Sequence, residues 1–276
     1  MDTNTPQPSS TSAAASSRLL GTPGSPLFVD VRKAADFAAS DYFIPGSIRW
    51  DYDANQLEPP EIKAVSNVVA YCVKGLHVGI TGAAKLSAQN VDATFLEGGL
   101  RQWMETDAPR VKKRPDLGVT GESVSRWVTR SRPKIDRIAC PWLVRRFIDP
   151  RAAFFYVPTS DVFAFAKANN AVAYDIPGAP IEHAGPLCSF DNFLRAFELV
   201  SPALERMANI VRGADTDALD LAPQSAGLLA ISLGFSKNIA DDHAMLDAVM
   251  PVYDALYRWV LDAVDATDEK HNWKPA

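Results

Sequence analysis

The chain has 276 residues, of which 47% are hydrophobic and 22% charged, and its formal net charge is −5. This length allows one large domain or two of ordinary size, and the acidic balance argues against a dedicated nucleic-acid surface. No stretch approaches the roughly 20 apolar residues that a membrane-spanning helix needs. The three cysteines, Cys72, Cys140 and Cys188, cannot all pair, which favours free thiols in a reducing compartment. We therefore expect a cytoplasmic protein that contacts no membrane.

Residues 1–24 are rich in Ser, Thr, Pro and Ala and lack the apolar core of a signal peptide, so they predict a flexible tail. In residues 25–108 the segments LFVDV, VVAYC and DATFLEG predict strands, and RKAADFAAS, TGAAKLSAQNV and GLRQWMETD predict helices. Strands that alternate with helices indicate an α/β domain with a mainly parallel sheet. Residues 109–123 concentrate charge and turn-forming residues and predict a solvated linker.

Residues 124–276 predict a helix-rich α+β domain. The segments RWVTR, AAFFYVP and AVAYDIP predict strands, while IDRIACPWLVRRFI and TSDVFAFAKANN predict helices. Thr159 or Ser160 is the expected N-cap of the second helix. Beyond residue 189 the pattern is helical almost to the end of the chain.

Cys72 stands at the end of a predicted buried strand, followed by a loop and the start of a helix. This is the usual ligand position of an open α/β sheet. Backbone N–H groups and the helix dipole favour an anion there, and the same field favours the thiolate, the reactive form of cysteine. Gly75 allows a tight turn, and Lys74 and His77 add positive charge.

The segments FVDVRKAADFAASDYFIPGSI, VVAYCVKG and FLEGGLRQW together resemble the rhodanese (sulfurtransferase) family across about residues 20–108. By this resemblance Cys72 is the nucleophile that carries a persulfide from a sulfur donor to a thiophilic acceptor, and Asp30 and Arg32 support the fold beneath it. The loop that would hold the anion comprises Val73, Lys74, Gly75, Leu76, His77 and Val78.

This loop departs from the pattern of many active rhodaneses. They place an arginine soon after the loop glycine, where this chain reads GLHVG, and a Gly-His pair before the IPG turn, where it has Asp41, Tyr42 and Phe43. The alternative is therefore an inactive module in which Cys72 is a buried structural residue.

A basic loop precedes the helix predicted to begin at Asp136, which can cap it. The basic residues of this region are Arg130, Arg132, Lys134 and Arg137. A cluster of positive charges at a helix N-terminus can bind an oxyanion, and we expect Arg132 and Lys134 to make the contacts. The alternative is a set of exposed charges on a solvated loop.

A possible metal site follows from the segment IEHAGPLCSFD, which leads from a strand into a helix. An imidazole with several carboxylates suits iron or manganese, and zinc is possible. Glu182 and Asp242 are candidates to orient a ligand ring. The alternative is a set of aspartates that only cap helices. The predicted ligands are His183, Asp191, Asp215 and His243.

The segments SRPKIDRIACPWLVRRFID, YDIPG, EHAGPLCSFD, VRGADTD and DDHAMLDAVMPVYDALY resemble the C-terminal domain of the bacterial chromate-resistance (ChrB-type) family, across about residues 124–265. That family is associated with resistance to chromate or with sensing it. Regulatory members carry a different N-terminal domain, which the rhodanese-like module replaces here.

Together the two resemblances imply a chromate or oxidative-stress resistance protein that joins a sulfurtransferase module to a metal-binding, redox-active domain. The enzyme class stays open between sulfurtransferase and metal-dependent oxidoreductase. The expected partners are a small sulfur donor and acceptor, an oxyanion such as chromate, or a second copy of the chain, with nucleic acid disfavoured. The alternative is a chromate-responsive sensor whose rhodanese-like module is inactive.

Overall fold

The computed structural model describes residues 8–54 and 59–263. Contacts between residues divide the chain into two units. The first unit runs to Trp127 and also includes Leu143–Phe154 and Ala196–Leu199. The second unit comprises Val128–Trp142, Phe155–Arg195 and the residues from Val200.

The N-terminal part of the chain builds a five-stranded sheet of order β1-β6-β5-β2-β4, in which the paired strands are parallel. Every residue of β2 and β5 is buried, as expected for central strands of a parallel sheet. A separate ribbon pairs β3 with β7. The strands are β1 (Ser10–Thr11), β2 (Leu27–Asp30), β3 (Tyr42–Phe43), β4 (Ile48–Arg49), β5 (Val68–Tyr71), β6 (Ala93–Leu96) and β7 (Val111–Lys112).

Helices connect these strands, which confirms the predicted α/β domain with a parallel sheet. Short 3-10 turns lie at Tyr52–Ala54 and Pro115–Leu117. The helices are α1 (Ala13–Ser17), α2 (Ala34–Ala38), α3 (Pro60–Lys63), α4 (His77–Ser87) and α5 (Gly99–Met104).

The residues before Leu27 are more ordered than the predicted tail. Ser10 pairs with Phe95 of β6, so β1 extends the sheet. The Ser12 side chain accepts a hydrogen bond from the Ala15 N–H and caps α1. The prediction of a flexible tail is therefore wrong for the described part of residues 1–24, and residues 1–7 lie outside the described residues.

The predicted linker is also partly structured. Val111 and Lys112 pair with Phe43 and Tyr42 in the antiparallel ribbon, and Leu117 and Val119 are buried. The charged residues around these apolar positions predicted a solvated segment. The apolar positions are nevertheless buried, because they contact residues that are distant in sequence.

The C-terminal half contains a three-stranded sheet of order β10-β8-β9 and a series of helices, which confirms the helix-rich α+β prediction. A 3-10 turn at Thr159–Asp161 precedes α7, whose N-cap is Asp161 rather than Thr159 or Ser160. The elements are β8 (Arg126–Arg130), β9 (Ala153–Val157), β10 (Val172–Ala173), α6 (Asp136–Leu143), α7 (Val162–Asn169), α8 (Ser189–Ala196), α9 (Pro202–Asp215), α10 (Gln224–Asn238) and α11 (Asp242–Ala263).

Helix α6 begins at Asp136, as predicted, and contains Pro141 in its interior. It continues as a π-helical segment at Val144–Ile148, where the Asp149 N–H donates to the Val144 carbonyl oxygen at 2.8 Å. Pro141 has no N–H to donate and disturbs the preceding turn, which fits a local change of helix type. In residues 8–54 and 59–263, no helix has both the length and the apolar character of a membrane span.

Candidate functional site

Cys72 follows β5 directly and borders a pocket of about 320 Å³. Its residue exposure is 5%, so the thiol is largely covered but reaches the pocket surface. The loop predicted to hold an anion supplies most of the remaining lining, as expected for a strand-end loop. The lining residues are Asp36, Cys72, Val73, Lys74, Leu76, His77 and Val78.

Backbone contacts fix the loop. Gly75 has a φ of 64°, and a Cβ atom there would come within 2.4 Å of the Leu96 carbonyl oxygen. The N–H of Leu100 donates to the Cys72 carbonyl at 2.8 Å, and the N–H of Arg101 donates to the Val73 carbonyl at 2.9 Å. The start of α5 therefore holds the backbone of the loop, and Gly75 is not among the residues that line the pocket.

The first turn of α4 lies beside the thiol. A Cβ atom built on Gly79 would be 3.3 Å from the Cys72 Sγ. The first N–H groups of a helix have no partner within it, and the helix dipole favours negative charge at that end. The Tyr52 hydroxyl donates to the Val78 carbonyl oxygen at 3.1 Å, and burial raises the pKa of Tyr52 to about 12. This terminus can stabilise an anionic sulfur species.

Asp30 and Arg32 form the buried pair expected beneath the site. Arg32 Nη2 lies 2.5 Å from Asp30 Oδ2, and both side chains are almost fully buried. The Tyr71 hydroxyl donates to the same oxygen at 2.9 Å. Because Tyr71 precedes Cys72, these bonds join the ends of β2 and β5 at the position where the thiol is presented.

The other two thiols have different surroundings. Cys140 and Cys188 have no exposed surface, and their Sγ atoms lie 3.3 Å from Asp136 Oδ1 and 3.4 Å from Asp191 Oδ2. Burial first, and the neighbouring carboxylates second, raise the pKa of both thiols. Both are therefore protonated hydrogen-bond donors at neutral pH.

A second site gathers carboxylates around an imidazole in the second unit. His183 Nε2 lies 3.4 Å from Asp136 Oδ2, 3.2 Å from Asp175 Oδ1 and 3.2 Å from Asp215 Oδ2. Potential ligand atoms of Asp136, Asp175 and His183 all lie within 4.8 Å of one another, and among the described residues this set could hold a metal ion. We call Asp136, Asp175, His183 and Asp215 the imidazole cluster.

The fold brings this cluster together from separate elements. Asp136 opens α6, and Asp215 ends α9. Asp175 follows β10 in a left-handed conformation with φ 52°, and its Oδ1 accepts a hydrogen bond from the Ser189 hydroxyl at 2.9 Å. Asp136 also accepts the N–H groups of Ser189 and Phe190 at 2.7 and 2.9 Å, so it caps α8.

The charges of the cluster depend on one another. Hydrogen bonds to Asp136 and Asp175 raise the pKa of His183 to about 10. Burial, together with the charges of Asp136 and Asp175, raises the pKa of Asp215 to about 7. Although burial opposes it, hydrogen bonds from His183 and Ser189 lower the pKa of Asp175. An imidazolium on His183 therefore balances these carboxylates together with Arg130 Nη2 and Arg137 Nε, which each lie 3.3 Å from Asp175 Oδ2.

The structure places two predicted metal ligands elsewhere. Asp191 accepts hydrogen bonds from Arg212 Nη1 and from the Cys188 N–H, so it is occupied by local contacts. The His243 ring packs edge-on against Tyr156, with ring centroids 5.5 Å apart. The prediction of Asp191 and His243 as ligands is thus corrected, whereas His183 and Asp215 do lie together.

The two residues expected to orient a ligand ring have other contacts as well. Glu182 Oε2 accepts the Gly178 N–H at 2.8 Å, and Asp242 Oδ1 accepts the Arg132 N–H at 3.0 Å. Asp136 and Asp175 belong to the imidazole cluster although no pattern in the sequence marks them as ligands. The sequence predicts that Asp136 caps its own helix, α6. In the structure its carboxylate caps α8 instead.

Arg132, one of the two residues predicted to bind an oxyanion, is engaged by other contacts. The Arg132 guanidinium donates to the carbonyl oxygens of Ser236, Ile239 and Ala240, which lie at the end of α10. Because C-terminal carbonyls of a helix attract a cation, this contact occupies Arg132 and corrects its assignment. Lys134 is half-buried, and its carbonyl accepts the Arg137 N–H at 3.0 Å.

Comparisons with known proteins confirm both resemblances. The model of the rhodanese-like domain matches residues 12–106, and that of the ChrB C-terminal domain matches residues 127–260. Protein ChrB of Cupriavidus metallidurans is 35% identical over 132 residues, which cover 48% of this chain and 39% of that protein. The chain therefore matches less than half the length of this relative.

Two solved structures are similar over 37% of this chain. The BH2092 protein of Bacillus halodurans is 25% identical, with 75% of that chain covered and a TM-score of 0.31. A protein of unknown function from Rhodopseudomonas palustris, RPA3614, described as a possible tyrosine phosphatase, is 20% identical, with 83% covered and a TM-score of 0.31. Scores this low say nothing about function.

We expect Cys72 to be the fastest thiol to alkylate near neutral pH, by about tenfold or more, because Cys140 and Cys188 are buried and protonated. The measurement is a time course with iodoacetamide on native protein, followed by peptide mass spectrometry. In denaturant the three thiols should react at similar rates. Similar rates in the native protein would contradict this difference in surroundings.

We also expect chelator-treated protein to lose thermal stability as the pH rises from about 4 to 10. The folded-state pKa values of Asp215 (3.8 raised to about 7) and His183 (6.5 raised to about 10) both lie above their usual values. The folded protein then binds more protons than the unfolded chain, so this stability is full below the usual pKa values and lost as the pH rises through the folded ones. In His183→Gln the loss of thermal stability above pH 7 should be smaller than in the parent. If the melting temperatures of the variant and the parent fall equally with pH, the assignment is wrong.

Proposed function

Because the chain joins a rhodanese-like domain at residues 12–106 to a ChrB C-terminal domain at residues 127–260, we propose that it is a cytoplasmic chromate or oxidative-stress resistance protein with two chemical centres. Cys72 transfers sulfur, and the imidazole cluster holds a redox-active metal. The observation that carries the proposal is the position of Cys72, at a strand end beside a helix N-terminus and a pocket of about 320 Å³.

Sulfur transfer at Cys72 needs no further cofactor. The Cys72 thiolate attacks the outer sulfur of a donor, and the bond between that sulfur and the donor breaks. The donor leaves with the bonding electron pair, and Cys72 carries the sulfur as a persulfide anion. Helix N–H groups at the first turn of α4 stabilise that negative charge. A thiophilic acceptor then takes the terminal sulfur and restores the thiolate.

The donor set of the imidazole cluster supports a metal of intermediate hardness. Carboxylate oxygens with one imidazole suit iron or manganese, and zinc is also compatible. Asp136, Asp175 and His183 would hold the ion, with Asp215 adjacent to the imidazole at 3.2 Å. A bound iron or manganese would supply one-electron redox chemistry. The residues themselves contribute charge, and Ser189 orients Asp175 through its hydrogen bond.

Chromate links the two centres. It resembles sulfate in shape and charge, and its reduction in a cell generates reactive oxygen. A persulfide-forming thiol supplies reducing sulfur, and a metal held by carboxylates and an imidazole can react with small oxidants. The resistance setting rests on the family of the C-terminal domain, and the two activities rest on the residues described above.

Purified protein incubated with a sulfur donor should gain one sulfur atom on the peptide that contains Cys72. Peptide mass spectrometry without reductant measures this. Cys72→Ser should lose transfer to cyanide completely, whereas the matched variant Cys140→Ser, which alters a thiol in the other unit, should retain it. A Cys72 that never gains sulfur would support the inactive-module alternative.

Protein prepared without chelators should contain stoichiometric iron, manganese or zinc, and His183→Ala should lose most of it. Elemental analysis of the purified protein measures metal content, and circular dichroism checks the fold. His243→Ala is the matched control, because His243 packs against Tyr156 outside the cluster. Metal-free parent protein, or a His183→Ala variant that keeps its metal, would disprove the site.

A further inference from the structure

The pocket beside Cys72 carries both signs of charge. Lys74 and His77 lie on the loop and at the start of α4, and both are exposed. Asp36 lines the same pocket from α2, where it is also exposed. We call Asp36, Lys74 and His77 the charged rim. The rim therefore contains a carboxylate as well as an ammonium, which distinguishes it from a rim that is cationic throughout.

The remaining lining is apolar. Val73, Leu76 and Val78 contribute aliphatic side chains, and Leu76 is 62% exposed. An exposed leucine beside a reactive thiol has no role in holding a small anion, but it can cover the methylene groups of an organic ligand. The volume of about 320 Å³ falls within the range of sites that bind small organic molecules.

A small dianion such as thiosulfate matches this lining poorly. Asp36 repels it, and the aliphatic residues leave most of the pocket to water. An organic persulfide carried by an amino-acid thiol offers a partner to each part of the lining: an ammonium for Asp36, a carboxylate for Lys74 and methylene groups for Leu76. Its anionic terminal sulfur lies near the first turn of α4.

Building on the sulfur-transfer function proposed above, we infer that the donor for Cys72 is the persulfide of a zwitterionic thiol and that Asp36 and Lys74 select it. The Cys72 thiolate attacks the terminal sulfur of R–S–S⁻, and the S–S bond of the donor breaks. R–S⁻ leaves with the electron pair, and Cys72–S–S⁻ forms. No oxidant or reductant is consumed, because the sulfane sulfur only changes its carrier.

Side chains of the charged rim can be substituted without a change in the backbone of the loop. Gly75 and the α5 N–H groups fix the backbone. The side chains of Lys74 and His77 extend from exposed positions, and Asp36 belongs to a separate short helix. Substitutions at the rim therefore test selectivity while Cys72 stays in place.

The test compares two donors, cysteine persulfide and thiosulfate, by the rate at which each adds sulfur to Cys72. Because the donors differ in intrinsic reactivity, the decisive quantity is the ratio of the two rates in each variant. Asp36→Asn should lower the persulfide-to-thiosulfate ratio by about three- to fivefold, the size expected for one exposed charge contact. Asp36→Lys, which makes the rim cationic throughout, should lower it further by raising the thiosulfate rate.

Asp41→Asn is the matched control, because Asp41 is exposed and lies outside the pocket lining, and it removes the same charge. Its ratio should equal that of the parent. If Asp36→Asn and Asp41→Asn give the same ratio, the inference is wrong although sulfur transfer stands. If neither donor adds sulfur to Cys72, the proposed transfer function fails as well.

Discussion

Carboxylates gathered around one imidazole are the constraint on which the second unit depends. Asp136 and Asp175 are almost fully buried, and like charges this close require a cation between them. His183 provides one positive charge, and Arg130 and Arg137 provide two more at Asp175 Oδ2, each at 3.3 Å. The buried carboxylates are therefore balanced by cationic side chains from separate elements of the second unit.

Asp136 connects this electrostatic requirement to the fold. Its two oxygens accept the N–H groups of Ser189 and Phe190 and approach His183 as well as the Cys140 thiol. Loss of its carboxylate would leave the start of α8 uncapped and remove a negative charge from the cluster at the same time. Asp136 therefore has a structural and an electrostatic role at once, whereas His183 lies at the exposed edge of the cluster.

The sequence predicted the Cys72 region well because that site is nearly local. A buried strand, a turn at Gly75 and a helix at His77 follow one another, so the pattern of residues is also the pattern in space. The imidazole cluster is not local. Asp136 and Asp215 are 79 positions apart and meet only through tertiary packing. His183 and Asp215 could be selected by residue type, but the convergence of Asp136 and Asp175 could not be derived from spacing. Arg132 illustrates the same limit, since its partners at the end of α10 are more than 100 positions away.

Exposed and buried positions alternate along the loop after Cys72. Gly75 is held against the backbone of the α5 start, whereas its neighbours Lys74 and Leu76 extend into solvent. Substitutions at the exposed positions can therefore change the lining of the pocket without a change of backbone. A laboratory library aimed at new sulfur chemistry can be confined to these few side chains, and its members should fold alike.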